Sequence, residues 1–374
     1  MPVRYLSTNL DYLRVPKNSA ERADMGGDVP YWGANSIQGY VNRALVHGPL
    51  VLVGEDGAPF FDRLSPVAFA IAGPIWPNNH VHVLRPRADV DYRYLAAALN
   101  AVDYSLYVKG STRDKLNQSE LSGIPVAVPG FEDQRRIADF LDRETAEIDA
   151  FIADQEELIA LLAERRRSVQ ADVLSRVDRS RQVPLRYLFQ QSREDNSGGS
   201  EVLSVYRDYG VIPKSSRSDN FNKTPEDVSR YLVVRPGYLV VNKMKAWQGS
   251  LGVSNHRGIV SPDYEVLRPT SKDLHPRFAH AFLRSPRLVA EYAVKSVGIR
   301  PSQWRLYWDQ LKDIAVPVPS AAQQSRICDA LDRATAEIDA TIADGREAIA
   351  LSKERRAALI SVAVTGKIDL REVA

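Results

Sequence analysis

Gln134-Arg135-Arg136-Ile137-Ala138-Asp139-Phe140-Leu141-Asp142-Arg143-Glu144-Thr145-Ala146-Glu147-Ile148-Asp149-Ala150 recurs as Gln324-Ser325-Arg326-Ile327-Cys328-Asp329-Ala330-Leu331-Asp332-Arg333-Ala334-Thr335-Ala336-Glu337-Ile338-Asp339-Ala340. The offset is constant from Ile124 to Arg166 and from Ile314 to Arg356, with no gap, and more than half the positions are identical. An internal repeat has to be read first, because it sets the architecture. Each copy reads as one long helix. Pro129 and Pro319 end an apolar approach strand, and Ser320 followed by Gln323 is a capping box. No proline interrupts either copy, and Ala, Leu, Glu and Arg fill both. Apolar residues recur at helical spacing: Ile137, Leu141, Ile148, Ile152, Ile159, Leu162 and Val169, then Ile327, Leu331, Ile338, Ile342, Ile349 and Leu359. The stripe is narrow, closer to a coiled-coil seam than to the face of a globular helix. A helix of about 45 residues is roughly 65 Å long. It needs another long helix beside it, and the other copy is the natural partner. Two unrelated coiled-coil arms, or a homodimer seam, would leave the same stripe.

The 374 residues exceed one core and suit two or three domains. Hydrophobic content of 44% and charge of 26% are those of a soluble globular protein. No apolar run approaches a membrane span, and Met1-Pro2-Val3-Arg4-Tyr5 has no signal-peptide pattern. The single cysteine, Cys328, excludes an internal disulfide; it replaces Ala138 of the first copy, so buried packing is its expected role. These features fit the cytoplasm. A net charge of +2 does not argue for DNA, since nucleic-acid binders are often more basic. Any basic surface must be local.

Residues 1–130 read as a first globular unit. Tyr31-Trp32-Gly33-Ala34-Asn35 is a turn-rich stretch. Leu50-Val51-Leu52-Val53 is a buried strand closed by Gly54-Glu55-Asp56-Gly57. His80 to Leu84 alternates as a half-buried strand, Tyr92 to Ala101 is helical, Lys109 to Lys115 is a polar loop, and Leu121 to Val128 is a strand leading into the helix. The first helix and a linker take residues 131–178. A second globular unit, 179–319, follows the same skeleton, and 320–374 is the second helix and tail. Gly237 to Asn242 aligns with Gly48 to Val53, Val266 to Pro269 with Val83 to Pro86, Phe278 to Arg284 with Tyr94 to Asn100, and Gly298 to Arg300 stands near Gly110 to Arg113. Pro184-Leu185-Arg186-Tyr187-Leu188 finds no clear counterpart before Arg4, which implies a lost edge element or a misassigned start. The expected architecture is mixed α/β (α+β). Two globular domains are separated by two long antiparallel helices forming a coiled coil, with a pseudo-twofold relating the halves. Like helices carrying unlike globular units mean common scaffolding with two different recognition surfaces.

No catalytic constellation emerges. There is no Walker-type loop and no dinucleotide fingerprint after a strand. Ser261-Pro262-Asp263-Tyr264 only superficially resembles the Asn/Asp-Pro-Pro-aromatic motif of an adenine methyltransferase, and Pro262-Asp263 lacks the acidic-x-Lys partner of a metal nuclease. His80 and His82 share a strand face without an evident third ligand, so ordinary strand histidines are expected and no metal. The loops carry more. The first unit offers Asn78, Asn79 and His80, then Lys109, Ser111, Thr112, Arg113 and Lys115. The second offers Asn242, Lys243, Lys245, Trp247 and Gln248, then Arg300, Ser302, Gln303, Trp304 and Arg305. Lys and Arg neutralise phosphates; Arg, Asn and Gln make bidentate contacts to base edges. A solvated loop with a structural Trp has the same composition.

The duplicated Gln-x-Arg-Ile…Leu-Asp…Thr-Ala-x-Ile-Asp…Glu-Arg-Arg helix resembles that of the specificity subunit of type I restriction-modification systems, over essentially the full chain. Leu239 to Gly249, Gly258 to Tyr264, Val29 to Ala34 and Gly54 to Gly57 are similar too. The resemblance implies a DNA-reading subunit without chemistry or cofactor of its own. Two target-recognition domains would each read half of a split, asymmetric site in double-stranded DNA. The helices would act as a ruler and dock two modification (methyltransferase) subunits, and restriction (endonuclease) subunits would join. S-adenosylmethionine, ATP and magnesium would belong to those partners. Base-reading residues differ among such subunits, so the expected DNA-binding set comes from the loop composition alone: Asn79, Lys109, Ser111, Thr112, Arg113, Lys115, Lys243, Lys245, Trp247, Gln248, Arg300, Gln303 and Arg305. The alternative is a helix-mediated scaffold that binds protein only; affinity for duplex DNA separates the two.

Overall fold

Both repeats fold into the long helices that their pattern dictates. The computed structural model describes residues 1–108, 114–196, 200–217, 224–300 and 303–368. The first long helix is Phe131–Ser175, 45 residues, and the second is Ala321–Val364, 44 residues. The second opens on its capping box: the Ser320 N–H donates to Gln323 Oε1 at 2.9 Å, and the Gln323 N–H donates to Ser320 Oγ at 3.3 Å.

The chain forms two compact units, Met1–Leu158 with Asp344–Ala374, and Ile159–Ala343. Each takes a part of both helices. In the first, Ile137, Ala138 and Leu141 share a core with Ile360, Ala363 and Val364, and Asp149 meets Arg356. Rising numbers on one helix meet falling numbers on the other, so the pairing is antiparallel. In the second, Leu174 shares a core with Cys328 and Leu331, and Arg166 meets Asp339. Cys328 is a buried packing residue whose thiol pKa burial pushes up.

Each unit is built on a four-stranded antiparallel sheet with one strand order. In the first the order is Ser7–Asn9, Val81–Pro86, Pro49–Gly54, Ala68–Ala72. In the second it is Phe189–Gln191, Tyr264–Pro269, Leu239–Asn242, Leu251–Val253. Helix Tyr92–Asn100 covers the first sheet and Pro276–Leu283 the second. The registers correct the sequence alignment by one residue. Leu84 lies opposite Val51, whereas its counterpart Leu267 lies opposite Leu239. Leu239 therefore corresponds to Val51 rather than to Leu50. Val51 and Val53 face the helix-side core of their unit, as Leu239 and Val241 do in theirs. A one-residue slip exchanges the two faces of a strand. An unbroken apolar run such as Leu50 to Val53 does not fix it.

The counterpart of Pro184 to Leu188 is present. Pro2-Val3-Arg4-Tyr5-Leu6 forms the same 3-10 turn, with Pro2 at φ −60°, ψ 143° and Pro184 at φ −56°, ψ 140°. The Val3 N–H donates to the Ile124 carbonyl and the Leu185 N–H to the Ile314 carbonyl. The expected loss of an edge element is thus corrected: the turn precedes the edge strand in both units. Three local expectations also change. Val29–Trp32 is a strand, with Tyr31 and Trp32 buried, and the turn starts only at Gly33. Val81 to Leu84 is buried throughout rather than alternating, because the sheet is covered on both faces. Leu121 to Val128 is no strand: Gln118–Gly123 is helical and Pro125 makes only an isolated bridge to Pro2. Pro125 and Pro129 have no N–H for a ladder.

Buried glutamines explain the motif that opens each helix. Gln134 is 1% exposed; its Oε1 accepts from the Asp91 N–H at 3.0 Å, and its Nε2 donates to the carbonyls of Asp89 and Pro129. Gln324, equally buried, accepts from the His275 N–H at 2.8 Å and donates to the carbonyls of Asp273 and Pro319. Arg93 then pairs with Asp139 and Asp142, and Arg277 with Asp332. The Gln and Leu-Asp residues of the motif fasten each globular part to the start of its own helix.

Candidate nucleic-acid interface

In the second unit three chain segments converge. After strand Leu239–Asn242 the chain turns through a 3-10 turn, Ala246–Gln248. Gly249 ends it at φ 90°, a conformation that suits glycine. The Trp247 indole donates to the Met244 carbonyl at 3.0 Å and meets Trp304 edge-on, with ring centroids 5.4 Å apart. Lys243 Nζ donates to the Pro262 carbonyl at 2.7 Å, the Leu306 N–H donates to the Lys243 carbonyl, and Arg305 lies 3.5 Å from Asp263. Val297 and Arg305 form an isolated bridge through two backbone hydrogen bonds of 2.9 Å, which holds Arg305 against the segment that leads to Arg300. Lys245, Gln248, Arg300 and Gln303 stand exposed around this tryptophan pair. Exposed cations and amides around a packed aromatic centre suit phosphate and base-edge contacts.

The same backbone position in the first unit has the opposite charge. The Leu116 N–H donates to the Glu55 carbonyl as Leu306 does to Lys243. Burial raises the Glu55 pKa, but contacts from Lys115 and Arg14 outweigh it and leave the carboxyl below its ordinary value. Lys115 lies 2.9 Å from Glu55, so this lysine is engaged within its own unit. Beneath it His82, 1% exposed, has Nδ1 at 2.6 Å from Asp11 and Nε2 at 2.8 Å from the Leu116 carbonyl. Burial raises the Asp11 pKa, and contacts from His82, the Val83 N–H and Asn9 together more than reverse this. His82 is a buried structural histidine, as expected.

Asn79 is exposed and borders an open polar cleft of about 340 Å³, lined also by Lys17, Arg22, Tyr31, Gln38 and His80. Of the sequence-derived residues, the fold gathers Lys243, Lys245, Trp247, Gln248, Arg300, Gln303 and Arg305 into one region. Asn79 and Lys115 are joined through His80, whose Nδ1 is 2.5 Å from Asp56, and through the Asp56–Lys115 bridge. Lys109, Ser111, Thr112 and Arg113 lie outside the described residues, as does Ser302. Sequence reading passed over Ile299, an apolar side chain 95% exposed beside Arg300. It also missed Lys17, Arg22 and Gln38, which lie far from the loops in sequence.

Residues 13–159 match the family model for the type I restriction modification DNA specificity domain. A Haemophilus influenzae protein named as a type I restriction enzyme specificity subunit is 24% identical over 350 residues, 89% of this chain and 86% of that protein. The chain is similar to a type I specificity subunit over most of its length, and residues 13–159 carry the match to the DNA specificity domain. Two solved structures align along it. One, reported for complex assembly and conformational transition of the type I system, is 14% identical with a TM-score of 0.49, covering 96% of this chain and 97% of that one. The S subunit from M. genitalium is 12% identical with a TM-score of 0.40, covering 97% and 95%.

Among the described residues no His, Cys, Asp and Glu group could hold a metal ion, and no helix is long and apolar enough to cross a membrane.

Proposed function

We propose that this specificity subunit reads a bipartite, asymmetric site in double-stranded DNA in the cytoplasm, one half through each unit. It docks two methyltransferase subunits, and restriction subunits join them. The observation that carries the proposal is the contrast at one shared backbone position: Glu55 with Lys115 in the first unit, and Lys243 with Arg305 in the second. One scaffold presenting unlike charges suits two unlike half-sites. In the complex with its methyltransferase subunits, Lys243→Ala with Arg305→Ala should weaken duplex binding severalfold, with a shallower salt dependence. Unchanged affinity and salt slope would remove this cluster from the interface.

Docking is supported by what the repeats share on their surfaces. Tyr5 is 50% exposed and Tyr187 65%, at equivalent places in the Pro-x-Arg-Tyr-Leu turn. Leu161 and Leu351, equivalent on the long helices, are 57% and 58% exposed. Identical exposed residues suit two copies of one partner, whereas the DNA halves differ. Native mass spectrometry checks this. Tyr5→Ala with Leu351→Ala, both in the first unit, should weaken one methyltransferase site and leave the other; full retention of two copies at limiting concentration would count against these residues.

A further inference from the structure

We infer that the polar cleft beside Asn79 takes the major-groove edge of an adenine, and that Asn79 is the specificity-determining residue for that base in the first half-site. The inference deepens the proposed DNA reading and rests on it.

Asn79 is held from both sides. On one side Asn78, 7% exposed, donates its N–H to the Trp32 carbonyl at 3.0 Å, and its Oδ1 accepts from the His80 N–H at 2.8 Å. On the other side His80 is fixed on Asp56. Between them the exposed Asn79 amide has no hydrogen-bond partner among the described residues. Its backbone is set while its donor and acceptor remain available. An Asn amide offers the donor–acceptor pair that matches adenine N7 and N6.

The rest of the cleft is equally organised. Its floor is Tyr31, 2% exposed, whose hydroxyl accepts from the Lys17 N–H at 2.8 Å. The Arg22 guanidinium lies over that ring, 4.9 Å from its centroid, and donates to the Lys17 carbonyl at 2.7 Å. Gln38 supplies a second amide, steadied by a bond from its Nε2 to Ser36 Oγ at 2.8 Å. Small-molecule pockets are mostly apolar and enclose their ligand; this cleft is open and polar, as a base edge requires.

Its walls come from segments particular to this unit. Helix Ser19–Ala23 and strands Val29–Trp32 and Ile37–Val41 lie between the first two strands that the units share in sequence. The second unit has the hairpin Leu203–Tyr206 and Gly210–Pro213 there instead. Asn79 itself stands on the loop before Val81–Pro86, a strand both units share, and faces walls that only the first unit has.

The test is methylation mapping with the full-length chain and its methyltransferase subunits. With Asn79→Ala, preference for adenine at one position of one half-site should fall between about 5-fold and about 150-fold, the range for one bidentate contact, while the other half keeps its sequence. Gln38→Ala, at a separate wall, should relax the same half and serves if the first variant is unstable. An unchanged motif in folded variants, or loss in both halves, overturns the assignment to this cleft. Absence of sequence-specific methylation by the wild-type complex defeats the DNA reading itself, and this inference with it.

Discussion

Asp149 accepts two hydrogen bonds from the Arg356 guanidinium, from Nε at 2.9 Å and Nη2 at 3.2 Å. The repeat makes Asp339 the equivalent of Asp149 and Arg166 the equivalent of Arg356, and those two pair as well, at 2.6 and 3.1 Å. One bidentate contact thus recurs in each unit with the roles of the helices exchanged. Gln155 lies between Asp149 and Arg166, and Gly345 between Asp339 and Arg356. An extra turn in one helix alone cannot keep both contacts, whereas matched turns at Gln155 and Gly345 can. If the helices are the ruler, matched insertion of about four residues adds roughly 6 Å. At about 3.4 Å per base pair, that widens the unread gap by one or two base pairs. Gly345 is buried, so the inserted turn needs a small residue at the seam. Methylation mapping reads the gap; an unchanged gap in a folded, active variant means that the partners set the spacing.

Removing the buried glutamines should separate the roles of the repeated motif. Gln134→Ala leaves the Asp91 N–H without its partner in a buried site, and the Asp89 and Pro129 carbonyls without theirs in part-buried ones. The expected cost is about 2–4 kcal/mol, from stranded groups at about 1–3 kcal/mol each with partial relaxation. Gln324→Ala should cost a similar amount. Chemical denaturation measures both; losses below about 0.5 kcal/mol would contradict this docking role.

Acid should weaken the second unit through His280. Its Nδ1 donates to the Val253 carbonyl at 3.1 Å and its Nε2 accepts from Arg284 at 2.7 Å, so the ring is neutral. Burial, then Arg284, pushes its pKa down to about 4 from 6.5. The unfolded chain therefore binds a proton that the folded chain refuses. The contribution is complete above pH 6.5 and is lost as pH falls towards 4. Its full size is on the order of 3 kcal/mol. His280→Gln should flatten the stability profile in that window; an acid loss equal to that of the wild type would contradict it.

The long helices were legible because Ile137, Leu141, Ile327 and Leu331 repeat at helical spacing and Ser320 and Gln323 mark a start. The shared skeleton was legible from strand-to-helix order. The register was not, since Leu50 to Val53 has no alternation to show which face is inward. The Pro2 to Leu6 turn escaped because Val3 and Leu185 differ, although Arg, Tyr and Leu follow in both. The buried role of Gln134 was hidden because glutamine usually reads as a surface residue, and two of its three partners, Asp91 and Asp89, lie over forty residues away. The loop clusters were legible as composition only. That Trp247 meets Trp304, and that Lys17 and Gln38 border the cleft of Asn79, depends on chain reversals no spacing encodes.

Arg305 and Lys115 occupy equivalent places but should differ in weight. Lys115 is joined to Glu55 at 2.9 Å, whereas Arg305 meets Asp263 only at 3.5 Å beside the tryptophan pair. Arg305→Ala should weaken DNA binding by the complex and lower the salt slope by about one if it meets phosphate. If it reads a guanine, about 1–3 kcal/mol of discrimination should go instead. Lys115→Ala should do less to binding. Salt titrations of both variants decide it, and a larger loss at Lys115 would contradict the assignment.

The central claim is that each globular unit reads its own half of one DNA site. Methylation mapping after exchange of residues 1–130 for the corresponding unit of another specificity subunit tests it most directly. One half-site should change to that of the donor, with the other half unchanged. Change in both halves, or in neither, would contradict independent reading.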